Sequence, residues 1–322
     1  MLKYKVSFLF LFIYITGAYA GDFENVDKYA RSVHKSGDYK QLVHKLTDRF
    51  TDEKDKVRAI YVWITDNIKY DWNKFEHNLK KGRYHIKGRS KAEILQIKKK
   101  IKERKINDVY RTGKGVCEDY SLLFKAMCDA IGIKSVIITG KIRSNPKAIG
   151  IFPYRYKHAW NGVRINDSWY LIDATWGAGY VEKGRFHKKF EDAFFMTNPE
   201  IFIISHYPDQ PKWQLIKTPV SKKEFAEFAY IFAGFYEKNI LNFYPRKGIF
   251  NTKNMNNTVT LEFATIPPDI YIYKNGKLKK TKIIKKDNTV KINLSTVVNH
   301  GFAKLVVKEG HKVIPLIGYK IK

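Results

Sequence analysis

At 322 residues, 44% of them apolar, the chain is long enough to hold more than one hydrophobic core, since single cores divide by about 250–300 residues. Sixty Lys and Arg against 31 Asp and Glu leave a formal charge of +29, which bears on anionic partners and says nothing about fold. Beyond the first twenty residues no run is long and apolar enough for a membrane-spanning helix, which needs ~20 residues.

Residues 1–20, MLKYKVSFLFLFIYITGAYA, read as a secretory signal. Lys3 and Lys5 supply the charged end, Val6 to Ile15 the apolar run, and Ala18-Tyr19-Ala20 a small-x-small cleavage site. The expected product is cleaved after Ala20 and exported, either periplasmic or extracellular. Two domains are expected after it, residues 21–219 and 220–322, the first carrying a basic insertion at about 78–108.

The first domain opens as helix. In TDEKDKVRAIYVWITDNIKYDW, Thr51 is the expected cap, and Val57, Ile60, Ile64 and Ile68 form one stripe. Core packing is the expected role of Trp63 and Trp72. From Lys80 to Lys105 twelve basic residues face two Glu. Within that block Ser90 and Glu93 have capping-box spacing ahead of Ile94, Ile97 and Ile101, so a solvated basic helix is expected there. A further helix begins at Cys117 and closes at Gly132.

The period then changes from helical to alternating. KSVIITG, RYKHAWNGVRI and SWYLIDATW read as strands, with Asn166-Asp167 turning between the last two. Lys141 to Tyr156 reads as a loop able to overhang a cleft. Pro208, Pro211 and Pro219 mark an irregular connector, and SKKEFAEFAYIFAGFYEKN reads as a short helical piece. After it come six or so short strands, including a hairpin about Asn275-Gly276, and these imply a small β-sandwich. Seven lysines from Lys274 to Lys286 fit the protection of a strand edge.

The chain has two cysteines. On one helix, residues 117 and 128 are ~16 Å apart along the axis, too far for a disulfide, so both thiols are expected to be free. Cys128 shares a buried face with Phe124 and Ile131. Cys117 instead starts its helix, where unpaired backbone N–H groups and the macrodipole favour a thiolate, and Gly113 and Gly115 before it leave room for a substrate backbone. A nucleophile needs a base and a group to orient it. Counting out from the Asn166-Asp167 turn, opposed residues sum to about 333, so His158 faces position 175 and Asp173 lies within two places. No paired metal-ligand spacing and no Gly-rich phosphate loop are present, so neither metal nor cofactor is expected, and no nucleic-acid-binding motif accompanies the basic charge.

The series GVCEDYSLLF, HAWNGV and SWYLIDATWGAGY resembles the transglutaminase-like superfamily of papain-type Cys-His-Asp enzymes. FFMTNPEIFIISHYPDQPKWQL resembles the segment after that core in the kyphoscoliosis-peptidase-like branch. The resemblance covers about Asp55 to Leu215. It implies an α+β fold, with helices packed on an antiparallel sheet and a C-terminal β domain following. It further implies Cys117 as nucleophile, His158 as base and Asp173 as orienting acid. The implied chemistry is acyl transfer on amide bonds of a protein or peptide, with a peptidase or amidase favoured over a transglutaminase. The alternative is a non-catalytic scaffold of the same fold at a cell envelope, an anionic surface being a partner suited to the basic charge. Asp119 stands where many relatives carry glycine, a departure that bears on substrate fit. Trp160, Trp169 and Trp176 are expected to wall the cleft or core, and His206 to be structural.

Overall fold

The computed structural model describes residues 23–81, 86–251, 258–294 and 300–322; the signal-like stretch 1–20 lies outside them. Three helices open the described chain: α1 (Glu24–Ser32), α2 (Tyr39–Thr47) and α3 (Glu53–Asn67). Asp38 caps α2 by accepting from the backbone N–H groups of Lys40 and Gln41, and the Gln41 side chain accepts from Asp38 N in return. The cap of α3 is Asp52, which accepts from Lys54 N; Thr51, the expected cap, lies one residue too early. Helix α3 is buried from Val57 to Thr65, so it forms the centre of the helical layer. Burying each large apolar side chain there contributes about 1.5–3 kcal/mol.

A two-residue strand β1 (Lys69–Tyr70) leads into α4 (Trp72–Lys81) and then α5 (Lys91–Thr112). Ser90 accepts from Glu93 N as expected, while the Glu93 carboxylate reaches Arg89 N and leaves Ser90 N alone. Ile94, Ile97 and Ile101 form a half-buried stripe on an otherwise solvated basic helix. Gly113 ends α5 in the left-handed region, at φ 64°, where glycine alone is free of strain. Strand β2 (Lys114–Gly115) then pairs parallel with β1 and delivers the chain to α6 (Cys117–Ala130).

Strands β3 (Ser135–Ile142), β4 (Lys157–Ile165) and β5 (Ser168–Ile172) follow. Asn166 and Asp167 both take positive φ, the conformation a two-residue hairpin demands. The β4–β5 ladder runs from Ile165 opposite Ser168 to Asn161 opposite Ile172, the register obtained by counting from that turn. The short helix α7 (Ala174–Ala178), the hairpin β6 (Gly179–Glu182) and β7 (Arg185–Lys188), and α8 (Pro199–Phe202) lead to β8 (His206–Pro208). Strand β8 joins β3 and completes a four-stranded antiparallel sheet ordered β5-β4-β3-β8. The helices pack on this sheet in one core containing Trp63, Phe124, Val163 and Ile172.

The segment expected as one helix after Ser221 is broken. It forms α9 (Lys222–Glu227), β9 (Tyr230–Ile231) and α10 (Ala233–Glu237). The physical reason is Arg143, whose buried guanidinium donates to the carbonyls of Phe225, Phe228 and Ala229 and so takes acceptors that a continuous helix would need. Then come β10 (Ile240–Tyr244), β11 (Ile249–Phe250), β12 (Thr258–Phe263), β13 (Ile270–Lys274), β14 (Lys277–Lys279), β15 (Ile283–Lys286), β16 (Thr289–Asn293), β17 (Gly301–Glu309) and β18 (Lys312–Ile321). They form two sheets, β10-β12-β16-β15 and β11-β18-β17-β13-β14, with β9 paired to β18.

Alternate residues Val259, Leu261, Phe263, Ile270, Ile272, Val290, Ile292, Leu305 and Val307 fill the space between those sheets. Asn275 and Gly276 turn the β13–β14 hairpin with positive φ. Lys277, Lys279, Lys285 and Lys286 lie on β14 and β15, the free edges of the two sheets, where charge blocks further pairing. Ile201 and Ile204, from the segment around α8, pack into this second core.

Candidate active site

Cys117 is the first residue of α6 and is partly exposed, whereas Cys128 is fully buried and pushed up by that burial; both thiols are free. The turn ahead of Cys117 is braced from within. Asp119, 1% exposed, accepts from Val116 N at 2.8 Å and from Lys74 Nζ at 2.7 Å. A Cβ on Gly115 would stand 2.7 Å from Asp119 Cβ. Gly115 therefore makes room for the Asp119 side chain rather than for a substrate backbone, and Asp119 acts on the helix start rather than on substrate fit. Lys105 on α5 also reaches α6, pairing with Glu118 at 2.9 Å.

Opposite α6, Asn161 on β4 donates its amide to Ser121 O at 3.1 Å, which ties the sheet to the cysteine helix. Three residues earlier on the same strand, His158 is 7% exposed and pairs across β3 with Gly140. Asp173, expected on a strand, lies just past β5 and is the cap of α7. Its Oδ1 accepts from Thr175 N at 2.9 Å and Trp176 N at 3.1 Å, which ends the strand and fixes the carboxylate in orientation. Asp173 Oδ2 then meets His158 Nε2 at 2.6 Å. The Cys117 sulfur is the other charged neighbour of the His158 ring.

The electrostatics follow from that order. Burial alone disfavours a charged His158. The Asp173 carboxylate, the neighbouring Cys117 sulfur and hydrogen bonds to both outweigh it and raise the imidazole to about 10. Burial likewise disfavours a charged Asp173, but the His158 charge and hydrogen bonds from His158 and His206 hold its carboxyl well below the usual carboxylate range. Tyr70 on β1 is a further neighbour: burial first, then the charge of Cys117, raises its phenol well above the ordinary value.

A residue expected to be merely structural enters this cluster. His206, on the edge strand β8, is fully buried and its Nε2 lies 3.1 Å from the same Asp173 Oδ2. Its Nδ1 lies 2.7 Å from Ser205 Oγ. Phe202 stacks on the ring at 4.0 Å between centroids and Trp176 meets it edge-on at 4.5 Å. Trp160 and Trp176 flank His158 at about 6 Å, walling the site as expected, whereas Trp169 packs away from it against Trp213. Sequence signals for His206 are slight: a histidine beside Ser205 in SHYP, with nothing to indicate which carboxylate it meets.

His158, Asp173 and His206 place three donor atoms within 4.8 Å of one another, a spacing compatible with a metal ion. Four N–H donors already occupy the Asp173 oxygens, so the group is satisfied as a hydrogen-bonded cluster. A second buried network supports it. Arg58, 2% exposed, pairs bidentately with Asp27 at 2.7 Å and also with Asp192. The turn that Asp192 begins presents Phe194 O to Asp173 N at 3.0 Å.

Comparison with known proteins gives the family. Residues 40–174 match the profile of the Transglutaminase-like superfamily. The human protein named Kyphoscoliosis peptidase is 30% identical over 277 residues, covering 84% of this chain and 38% of that protein. Hillarin from Drosophila melanogaster is 28% identical over 232 residues, covering 67% of this chain and 25% of its own length. A solved structure described as "Crystal structure of a TGase" is 16% identical, with a TM-score of 0.29, covering 55% of this chain and 37% of that one. The chain thus spans well under half the length of the curated relatives it matches. By its matched domain and its relatives, the chain belongs to the transglutaminase-like superfamily, in the kyphoscoliosis-peptidase-like branch.

Proposed function

We propose that the chain is an exported thiol enzyme that cleaves amide bonds in a protein or peptide through an acyl-enzyme. The observation that carries this reading is the cluster in which His158, held by the Asp173 carboxylate at 2.6 Å, has the Cys117 sulfur at the start of α6 as its other charged neighbour. The Cys117 thiolate attacks the carbonyl carbon and forms a C–S bond. The His158 imidazolium gives its proton to the leaving amine as the C–N bond breaks. Water, deprotonated by His158, then cleaves the thioester and restores the thiolate. The backbone N–H of Cys117, which has no partner within its own helix, is the first donor to the developing oxyanion.

Hydrolysis is favoured over transfer to a second amine because two relatives that match 84% of this chain carry the name peptidase. Export rests on the signal-like residues 1–20. The experiment compares the protein with Cys117→Ala on extracts of cell-envelope protein. Mass spectrometry is expected to find new peptide ends that the variant does not make, with an acyl adduct on Cys117. Isopeptide links in place of new ends would assign transamidation, and identical profiles with no adduct would end the enzyme reading.

A further inference from the structure

We propose that His206 is a positioning residue of this site, held in one tautomer by Ser205. This deepens the enzyme reading and rests on it. The argument is an account of protons. Asp173 Oδ2, as a carboxylate, only accepts, so the His206 Nε2 that lies 3.1 Å away carries its proton and donates it. A neutral ring then has a bare Nδ1, which needs a donor, and Ser205 Oγ at 2.7 Å is placed to be one. The other contact of Ser205 Oγ, to Phe202 O, is longer at 3.4 Å.

The whole series is therefore satisfied in one sense only. Ser205 donates to His206, and His206 and His158 both donate to Asp173. The surroundings favour a neutral His206. Phe202, Trp176, Trp160 and Phe194 enclose its ring. Burial first, then the charge on His158, works against protonating it, and the imidazole is lowered to about 4. The ionisable groups facing this cluster are Cys117 on α6, His158 on β4, Asp173 at the cap of α7 and Tyr236 on α10; Tyr70 on β1 faces Cys117.

Tyr236 carries the link to the second half of the chain. It packs against the sandwich core and also against the cluster of Trp160, Phe194 and Phe202, with its ring 5.3 Å from Phe194. The C-terminal half thereby closes one side of the aromatic pocket that holds the His206 ring.

The test uses a substrate-free probe and histidine-selective NMR. Chloroacetamide alkylates Cys117 in preference to the buried Cys128, and at pH 6 an ordinary thiol is almost wholly protonated. In the parent, nitrogen shifts are expected to place the His206 proton on Nε2. His206→Phe keeps a flat ring but loses the donor, and Ser205→Ala releases Nδ1. His206→Phe is expected to slow alkylation roughly tenfold, the worth of one charge-assisted hydrogen bond, and Ser205→Ala, which removes a neutral one, roughly fivefold.

His206→Gln, whose amide can donate from the Nε2 position, is expected to stay within about threefold of the parent, a rescue that a purely packing role would not give. An Nδ1–H tautomer in the parent, or parental rates in Ser205→Ala and His206→Phe, would overturn the proposal. Because the probe needs no substrate, that failure differs from failure of the enzyme reading, in which no acyl adduct forms although these variants still slow alkylation.

Discussion

Replacing Asp173 with Asn tests the electrostatic core of the site with the smallest change in shape. Asn keeps an oxygen for Thr175 N and Trp176 N, so the cap of α7 survives. Its amide then faces the N–H groups of His158 and His206, donor against donor. The carboxylate charge that offsets the burial of His158 is gone. Holding that imidazole at about 10, against an ordinary 6.5, corresponds to on the order of 5 kcal/mol of preference for the charged ring. Without it only the Cys117 sulfur still offsets burial, so the ring is expected to fall back to its ordinary 6.5. At pH 8 the protonated fraction of His158 then falls from almost all to about 3%, roughly a 30-fold loss. The assay is a pH titration of the His158 ring resonances by NMR in the parent and the variant, alongside turnover. A ring that still titrates near 10 in Asp173→Asn would refute the reasoning.

Three further outcomes are expected. Arg58→Ala leaves Asp27 and Asp192 without their buried partner and is expected to destabilise the protein by about 3–5 kcal/mol in urea unfolding, as broken buried pairs do; an unchanged midpoint would contradict the ion-pair account. Gly140→Ala puts a Cβ against Tyr207 O and the Trp160 ring and 2.9 Å from Pro208 Cα, so about 1–3 kcal/mol should be lost, with a shift in tryptophan fluorescence. The pH dependence of stability has a definite sign on each side. His158, raised to about 10, contributes stability in full below 6.5 that is lost as pH rises through 10. His206, lowered to about 4, contributes stability present above 6.5 that is lost as pH falls through 4. The thermal midpoint governed by this pair should peak near pH 6.5, and a steady rise in midpoint from pH 6.5 to 9 would count against the assignment.

Much of the fold was legible because its signals are local. Two turn residues able to take positive φ, Asn166 and Asp167, set the β4–β5 register, and that register brings the end of β5 beside the start of β4. Alternation in TVTLEF and TVKINL matches the buried faces of the sandwich, with Val259, Leu261 and Phe263 buried on one strand and Val290 and Ile292 on the other. Where a long-range partner intervened, local reading failed. The pattern after Ser221 is helical, yet Arg143, some 80 residues earlier, takes its carbonyls. Asp173 continues a strand pattern, yet its own side chain caps the next turn. Glycines before Cys117 looked like space for a substrate, and one of them is space for Asp119.

The sequence by itself determined most of the helices and strands, where the tight turns fall, and that a cysteine stands at a helix start ahead of a strand histidine. Only the tertiary structure decided that His206, held by Ser205, shares the carboxylate of Asp173 with His158, that Lys74 and Asp119 brace the cysteine turn, and that Arg58 supports the segment behind the site. The reason is physical. Side-chain period and turn chemistry act over a few residues, whereas a buried polar group must find its partner among whatever the packed layers bring within reach.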